Sequence, residues 1–154
     1  MITYEVVGFS EGFPQMAHLI FQQYDEVDHR RKTSDANPMV ERYEALEEEG
    51  LHFMVIAKDE DRVVGYASLF IADSPHTQTK HVVSDLLYTL PETRGEGVGE
   101  EMIRLAAEEG KSRGAEHIMI TLKNSVPHLK LVDKLGFFSY ETIYSKCLIE
   151  GEAS

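Results

Sequence analysis

The sequence predicts an α/β fold in which helices cover one mixed β-sheet. Two observations support this fold class. The chain has 154 residues, 42% of them hydrophobic, which is enough for one core. Strand-like and helix-like periodicities alternate along it in the order strand, two helices, three strands, helix, strand, helix and strand. Because no repeat or linker-like segment interrupts that order, we expect residues 1–154 to form a single domain.

The first half of the chain contains a strand, two helices and a hairpin. The predicted elements are a strand at residues 2–9, a helix with apolar positions between Met16 and Val27, a shorter helix from Asn37-Pro38 to Gly50, and two strands at 51–57 and 62–71. The acidic turn at residues 58–61 joins the last two strands, so they are expected to pair in antiparallel fashion.

The second half begins with a polar loop at residues 72–80 that could act as a mobile lid. The strongest helix prediction starts at Val98, where apolar residues recur every three or four positions, and it ends with cationic residues before Gly114. The other predicted elements are a strand at 81–90, a strand at 117–122, a short helix at 126–135 opened by Pro127, and one or two strands at 137–148.

Charge and cysteine content restrict the possible functions. The formal net charge of −12 disfavours binding to nucleic acid and favours a cationic or neutral substrate. No apolar run is long enough to suggest a membrane segment. The single cysteine, Cys147, excludes an internal disulfide framework and suits a reducing, cytoplasmic location. Its apolar, strand-like surroundings predict a packed core thiol.

A glycine-rich loop precedes the strongest helix. Gly95, Gly97 and Gly99 leave little side-chain bulk over the backbone amides, and a helix N-terminus favours anions such as phosphate. Arg94 adds a positive charge. The spacing does not match the dinucleotide fingerprint, since Glu100 follows Gly99, and the lysine of the P-loop is absent. On its own, the loop could also be a tight turn without a ligand.

The residues around this loop carry a family resemblance. The segment Leu87–Gly99, LYTLPETRGEGVG, resembles the L-x-V-x-P-x-x-R-G-x-G-x-G pattern of the GNAT superfamily of acetyl-CoA-dependent N-acetyltransferases. Asn124 and the segment Lys134–Phe137 are similar to the family's closing N…K-x-G-F segment. The resemblance implies a GNAT-like domain with a mixed, mostly antiparallel, splayed β-sheet flanked by about four α-helices.

The resemblance also implies acetyl-CoA as co-substrate and assigns residues to it. Asn124 would steady the pantetheine arm from the strand opposite the loop. The backbone of Leu87, Tyr88 and Thr89 would pair with that arm, and the pyrophosphate would bind the amides of Arg94, Gly95, Glu96, Gly97, Val98 and Gly99. Thr89 replaces a common valine, and Glu96 brings a negative charge that could weaken phosphate binding. Val132 occupies the position where the family often has a tyrosine.

Transfer to an amine requires removal of a proton, since an amine with a pKa of about 10.4 is mostly protonated near neutral pH. Strand alternation predicts that His81 and Asp85 share a face with Leu87 and Thr89, so either could act as base through a water. Alternatively, neither is catalytic: His81 could simply be exposed to solvent, and Asp85 could accept hydrogen bonds from nearby backbone N–H groups.

Because Val132 replaces the tyrosine that is usual in the family, the enzyme is expected either to be slower or to use another proton donor. The candidates are Tyr88, Tyr140 and Tyr144, although tyrosines in strands are mostly core residues. His76 and His128 are expected at the surface. No metal site is expected, because no histidine pair has ligand spacing.

The function that follows is direct transfer of an acetyl group from acetyl-CoA to an amine-bearing acceptor, a small molecule or a protein. Three alternatives stay open: an acyl-CoA-binding regulatory module with little activity, a nucleotide-binding protein, and a protein that binds partners through its acidic surface. The sequence does not identify the acceptor. An exposed edge strand near the C-terminus could pair two copies into a homodimer.

Overall fold

The computed structural model describes residues 1–27, 36–122 and 129–149. They belong to two compact units, one made of Met1–Ala17 and Met39–Thr121, the other of His18–Pro38 and Leu122–Ser154. The single domain expected for residues 1–154 stays a prediction. No helix among the described residues combines the length and the apolar character needed to cross a bilayer.

The predicted order of elements is confirmed from the first strand to the last described helix. The helices and strands are β1 (Ile2–Val7), α1 (Phe9–Val27), α2 (Val40–Glu48), β2 (His52–Asp59), β3 (Arg62–Asp73), β4 (Lys80–Thr89), α3 (Val98–Ser112), β5 (Ala115–Met119) and α4 (Leu129–Lys134). Of the short helix predicted at 126–135, residues 126–128 lie outside the described chain.

Among the described residues, the sheet has five strands in the order β1-β2-β3-β4-β5. The pairs β1–β2, β2–β3 and β3–β4 are antiparallel, while β4 and β5 are parallel. The predicted hairpin is present, and it turns at Glu60, whose φ of 54° lies in the left-handed region. The mixed, mostly antiparallel sheet expected from the sequence is thus confirmed.

The sheet is covered on both faces, which explains the unbroken apolar runs of its central strands. Residues 52–57 of β2 are all buried, as are residues 63–69 of β3. On one face, α3 lies so close that a Cβ on Gly110 would come within 2.0 Å of the Val82 side chain. On the other face, a Cβ on Gly12 of α1 would meet Met54 of β2 at 3.0 Å.

The prediction of one or two strands at residues 137–148 is wrong. That segment carries no regular secondary structure, and its apolar side chains are largely exposed, including Phe138, Tyr140 and Ile143. Alternating apolar residues predict a strand only if a neighbouring strand supplies ladder hydrogen bonds, and none of the described strands pairs with this segment.

Candidate functional site

The glycine-rich loop connects the end of β4 to the start of α3. A single 3₁₀ turn at Pro91–Thr93 follows β4, and the chain then passes through Gly95 and Gly97 with φ angles of 89° and 82°. Both values lie in the left-handed region that favours glycine. A Cβ built on either residue would meet no atom within 4 Å. Backbone conformation therefore requires these glycines, and the space beside them is open.

Several amides in this loop are available to a ligand. The first turn of α3 closes with Glu101 donating to the Gly97 carbonyl at 3.0 Å. No carbonyl of the described residues accepts a hydrogen bond from the N–H of Gly95, Gly97, Val98 or Gly99. A helix N-terminus carries about half a positive charge, so these donors can together hold a phosphate group.

Arg94 fixes the loop to the preceding strand. Its guanidinium donates from Nη2 and Nε to the Thr89 carbonyl at 3.0 and 3.2 Å, and its Cζ lies 5.6 Å from the centre of the Tyr88 ring. The positive charge thus stays beside the glycines, but the Thr89 carbonyl already has a partner. A ligand that pairs with β4 at this end would have to use other backbone groups.

The sheet opens between β4 and β5, next to the loop. These two strands pair only at residues 80–83 of β4, and the N–H of Thr121 then donates to the Ser84 hydroxyl at 2.8 Å. From Asp85 to Thr89, β4 keeps its β3 neighbour on one side and has no described strand on the other. Leu87 and Tyr88 lie in this part of β4 and pair with Ala67 and Tyr66 of β3. Asn124, the residue expected on the opposite strand, lies outside the described residues.

A β-bulge in β4 corrects one prediction from the sequence. Ser68 of β3 pairs with Leu86, while the next residue of β3, Leu69, pairs with Ser84, so Asp85 is an extra residue in β4. The extra residue reverses the alternation of side chains on either side of it. His81 and Asp85 therefore do not share a face with Leu87 and Thr89, as strand alternation had predicted.

The register confirms this assignment of faces. His81 lies opposite Ala72, which is on the same face of β3 as Ser68, whereas Leu87 lies opposite Ala67 on the other face. Asp85 contacts Ser68 directly. Asp85 thus lies on the face covered by α1 and α2, opposite the face covered by α3.

The Asp85 carboxylate is held by two hydroxyl groups. Oδ2 accepts a hydrogen bond from the Tyr43 hydroxyl at 2.7 Å and one from the Ser68 hydroxyl at 2.9 Å. The Ser68 Oγ also lies 2.7 Å from Nε2 of His52. Sequence reasoning missed Tyr43, His52 and Ser68 as site residues. A signal was present, since His52 and Ser68 are polar residues in apolar strands and buried polar groups need partners.

An aromatic cluster surrounds His52. The Tyr43 ring stacks on Phe9 at 4.8 Å and on Phe70 at 5.8 Å, and the His52 ring contacts all three. Burial of His52, which is 1% exposed, lowers its pKa from 6.5 to about 4; the positive charge of Arg113 adds to the decrease and Glu47 opposes it. His52 is therefore neutral near pH 7.

The other predicted catalytic residues lie elsewhere. His81 interacts through Nε2 with the Thr79 hydroxyl at 2.9 Å and stacks on His117 at 5.2 Å. Among the described residues, no hydrogen bond joins it to Asp85 or to the partners of Asp85. Tyr144 is 91% exposed and Tyr140 is also exposed, so neither is the core tyrosine expected of a strand. Tyr88 is buried against Tyr66.

The remaining expectations concern histidines, Cys147 and metals. His76 is exposed, as predicted, while His128 lies outside the described residues. Cys147 is only half-buried, so the prediction of a packed core thiol is wrong; its segment forms no strand and its immediate neighbours are mostly exposed. No group of three or more His, Cys, Asp or Glu side chains in the described ranges could hold a metal ion.

Comparison with known proteins identifies the family. A model of the acetyltransferase (GNAT) family matches residues 13–137. The chain belongs to this family. It is therefore an acyltransferase whose co-substrate is acetyl-CoA and whose reaction is transfer of the acetyl group to an amine. The sequence has no match among curated proteins.

Solved structures of other acetyltransferases share the GNAT fold of this chain. An aminoglycoside acetyltransferase from an uncultured soil metagenomic sample aligns with a TM-score of 0.77 and 15% identity, over 97% of this chain and 99% of the other. Glucosamine-6-phosphate N-acetyltransferase from Arabidopsis thaliana aligns with a TM-score of 0.72 and 15% identity, over 97% of this chain and 99% of the other. A predicted acetyltransferase with acetyl-CoA from Clostridium acetobutylicum aligns with a TM-score of 0.72 and 17% identity, over 96% of this chain and 97% of the other.

Proposed function

We propose that this GNAT acetyltransferase acetylates a small amine, with the coenzyme pyrophosphate on the amides of Gly95, Gly97, Val98 and Gly99 and the amine proton accepted by Asp85; the amides of Arg94 and Glu96 already donate to Pro91 and Thr93. One observation carries the proposal. Asp85 occupies the bulge of β4 directly after the β4–β5 pairing has ended, so its carboxylate lies where the sheet opens. His81 lies within the paired part of β4.

The coenzyme-binding part of the proposal uses backbone groups. Acetyl-CoA supplies the acetyl group as a thioester. The amides of Gly95, Gly97, Val98 and Gly99 have no described acceptor and lie at the N-terminus of a 15-residue helix, which suits a pyrophosphate. The edge of β4 at Leu87, beyond the end of its pairing with β5, suits an extended arm with amide groups. Asn124 on the opposite side remains part of the proposal.

The chemical part depends on one oxygen of Asp85. Both hydroxyl donors bind Oδ2, and no described residue donates to Oδ1. Oδ1 is therefore available to an ammonium group, and it can accept the proton that must leave before the nitrogen attacks, directly or through a water. A positioned proton donor is not required, because a thiol with a pKa of about 8.5 leaves readily as a thiolate. The exposed Tyr144 thus has no assigned role in the mechanism.

The acceptor class is inferred from charge and from the structural neighbours. Helix α2, which supplies Tyr43 to Asp85, also carries the carboxylates Glu41, Glu44, Glu47 and Glu48. With a net charge of −12, this surface attracts cations. Two of the neighbours are named as acetyltransferases of an aminoglycoside and of an amino sugar. We therefore infer a small acceptor with an amino-sugar or aminoglycoside amine, acetylated in the cytoplasm.

The edge strand near the C-terminus from which a homodimer was predicted is absent from the described residues, so the homodimer is proposed here on another edge. Strand β5 is the last strand of the described sheet and pairs only with β4. Pairing of two copies along this edge would complete its ladder. Sedimentation of the purified protein tests this, and a monomer at all concentrations would exclude it.

The Asp85→Asn substitution tests the role of the carboxylate. A missing general base lowers the rate by about 10²- to 10⁴-fold, and we expect that loss in kcat/KM while acetyl-CoA affinity stays within about twofold. Asp73→Asn, an exposed change at the far end of β3, is the matched control and should keep full activity. Full activity in Asp85→Asn would exclude Asp85 as the base.

A panel of acceptors tests the substrate class. Aminoglycosides, amino sugars, linear polyamines and peptides with free N-termini would be compared by release of free thiol from acetyl-CoA. The proposal expects the highest kcat/KM for one of the first two groups, with a decrease at high salt as the charges are screened. Preference for peptides would contradict the small-molecule assignment and leave the acetyl transfer in place.

A further inference from the structure

We propose that His52 and Ser68 are positioning residues that hold the Asp85 carboxylate in its working orientation through a directed chain of hydrogen bonds. This chain, from His52 to Ser68 to Asp85, is called the relay below. The inference rests on the proposed function, because it assigns a task to residues that support the proposed base. Neither His52 nor Ser68 lies in the glycine-rich loop or in β4.

The direction of the relay follows from counting protons. A serine hydroxyl has one proton, and Ser68 donates it to Oδ2 of Asp85 at 2.9 Å. Nε2 of His52 lies 2.7 Å from the Ser68 Oγ, so in this hydrogen bond the histidine N–H must be the donor and Oγ the acceptor. The ring is therefore the tautomer with the proton on Nε2, and its Nδ1 keeps a lone pair. That atom is buried and has no partner among the described residues, which agrees with an unprotonated nitrogen.

Burial keeps the relay in one arrangement. His52 and Ser68 are 1% and 2% exposed, so neither is in contact with bulk solvent. The rings of Phe9, Tyr43 and Phe70 contact the imidazole on several sides and restrict its rotation. Because the low pKa of His52 keeps the ring neutral near pH 7, the relay has the same proton positions across the neutral range.

Asp85 needs this support because of its position. A bulge residue is displaced from the regular alternation of its strand, so its side-chain direction is not set by the ladder alone. Ser68 holds Oδ2 from β3 and Tyr43 holds it from α2, and both bonds leave Oδ1 free for the acceptor. Removing the relay would let the carboxylate rotate and would reduce the fraction of molecules in the productive orientation.

Two substitutions at His52 separate hydrogen bonding from packing. His52→Phe keeps a ring among the aromatic residues and removes the donor, whereas His52→Gln keeps an N–H at a similar distance and removes the ring. The inference expects kcat about 10-fold lower in His52→Phe and within about twofold of wild type in His52→Gln, with acetyl-CoA affinity unchanged in both. The reverse order would show that only packing matters and would overturn the inference.

Ser68 provides a second test and a link to Asp85. Ser68→Ala should lower kcat about 10- to 100-fold, and Ser68→Thr, which restores the hydroxyl, should recover most of it. In an Asp85→Asn background, Ser68→Ala should cause no further loss, because the two residues act as a unit. A full additional loss in that background would mean that Ser68 acts independently of Asp85.

Nitrogen NMR of His52 tests the relay without using activity. The expected spectrum at neutral pH shows a protonated Nε2 and an unprotonated Nδ1, and the Nε2–H signal should shift in Ser68→Ala. The opposite tautomer would overturn the inference. If Asp85→Asn is fully active while this tautomer is present, the proposed base is wrong and the relay is structural. If Asp85→Asn is inactive and His52→Phe is fully active, the proposed base stands and the positioning role fails.

Discussion

Replacing His52 by glutamine removes a buried titratable ring, and this change should alter the acid stability of the protein in a defined way. Burial lowers the pKa of His52 from 6.5 to about 4. In the unfolded chain this histidine has its ordinary pKa of 6.5. Between pH 6.5 and about pH 4 the unfolded state therefore binds a proton that the folded state does not, and this binding favours unfolding. The stability associated with the neutral ring is fully present above pH 6.5 and is lost as the pH falls toward 4.

The size of the effect follows from the difference between the two pKa values. Each unit corresponds to about 1.36 kcal/mol, so the complete loss is about 3 kcal/mol. At about pH 4.5 the loss of stability has already reached roughly 2.5 kcal/mol. The free energy of unfolding of a typical domain is about 5–15 kcal/mol, so the titration of this one histidine accounts for a substantial part of the loss of stability in acid.

Urea unfolding at about pH 7.5 and about pH 4.5 measures this difference. Wild type should lose roughly 2.5 kcal/mol more between the two conditions than His52→Gln, which cannot titrate at this position. His76→Gln, on an exposed loop, is the control and should behave as wild type. An equal loss in wild type and His52→Gln would refute the claim that burial keeps this histidine neutral.

Three further predictions concern the packing of α3 and the end of β4. Gly110→Ala should destabilise the protein by about 1–3 kcal/mol in urea unfolding, because its Cβ would come within 2.0 Å of Val82; an unchanged midpoint would show that the helix can shift at no cost. Met102→Ala, at a residue that is 0% exposed, should cost about 2–5 kcal/mol by leaving a cavity, and a cost below about 1 kcal/mol would contradict the described packing. Arg94→Ala should weaken acetyl-CoA binding about 10-fold in calorimetry, since it removes both bonds to the Thr89 carbonyl and a charge beside the loop; unchanged affinity would mean that Arg94 is not needed to hold the loop.

The sequence predicted the elements better than the contacts between them. The hairpin of β2 and β3 and the helix after the glycine-rich loop follow from local periodicity and turn residues, and both are confirmed. The bulge at Asp85 has no such clear signal, because Ser84-Asp85-Leu86 contains no glycine and lies inside a continuous strand-like segment. It arises from the pairing of β4 with β3, and it moved Asp85 to the opposite face from the one predicted.

The candidate site was only partly predictable for a similar reason. Its loop is one continuous segment with a recognisable pattern, and its open geometry depends on local backbone angles. The residues that hold Asp85 come from α2, β2 and β3, and nothing local in the sequence links Tyr43, His52 and Ser68 to it. The strands predicted at 137–148 failed because alternation alone does not supply a partner strand.

Calorimetric titration with acetyl-CoA tests the central claim, that the glycine-rich loop holds the coenzyme. Wild type would be compared with Gly97→Trp and with Gly50→Trp. Both glycines have a positive φ and open space at the Cβ position, so the two variants carry similar backbone strain and only Gly97→Trp places bulk over the loop. ATP and NADH serve as competing ligands.

The account predicts that wild type and Gly50→Trp bind acetyl-CoA in preference to ATP and NADH, with an affinity at least about 100-fold above that of folded Gly97→Trp. Equal binding by the two variants, or no binding by well-folded wild type, would contradict it.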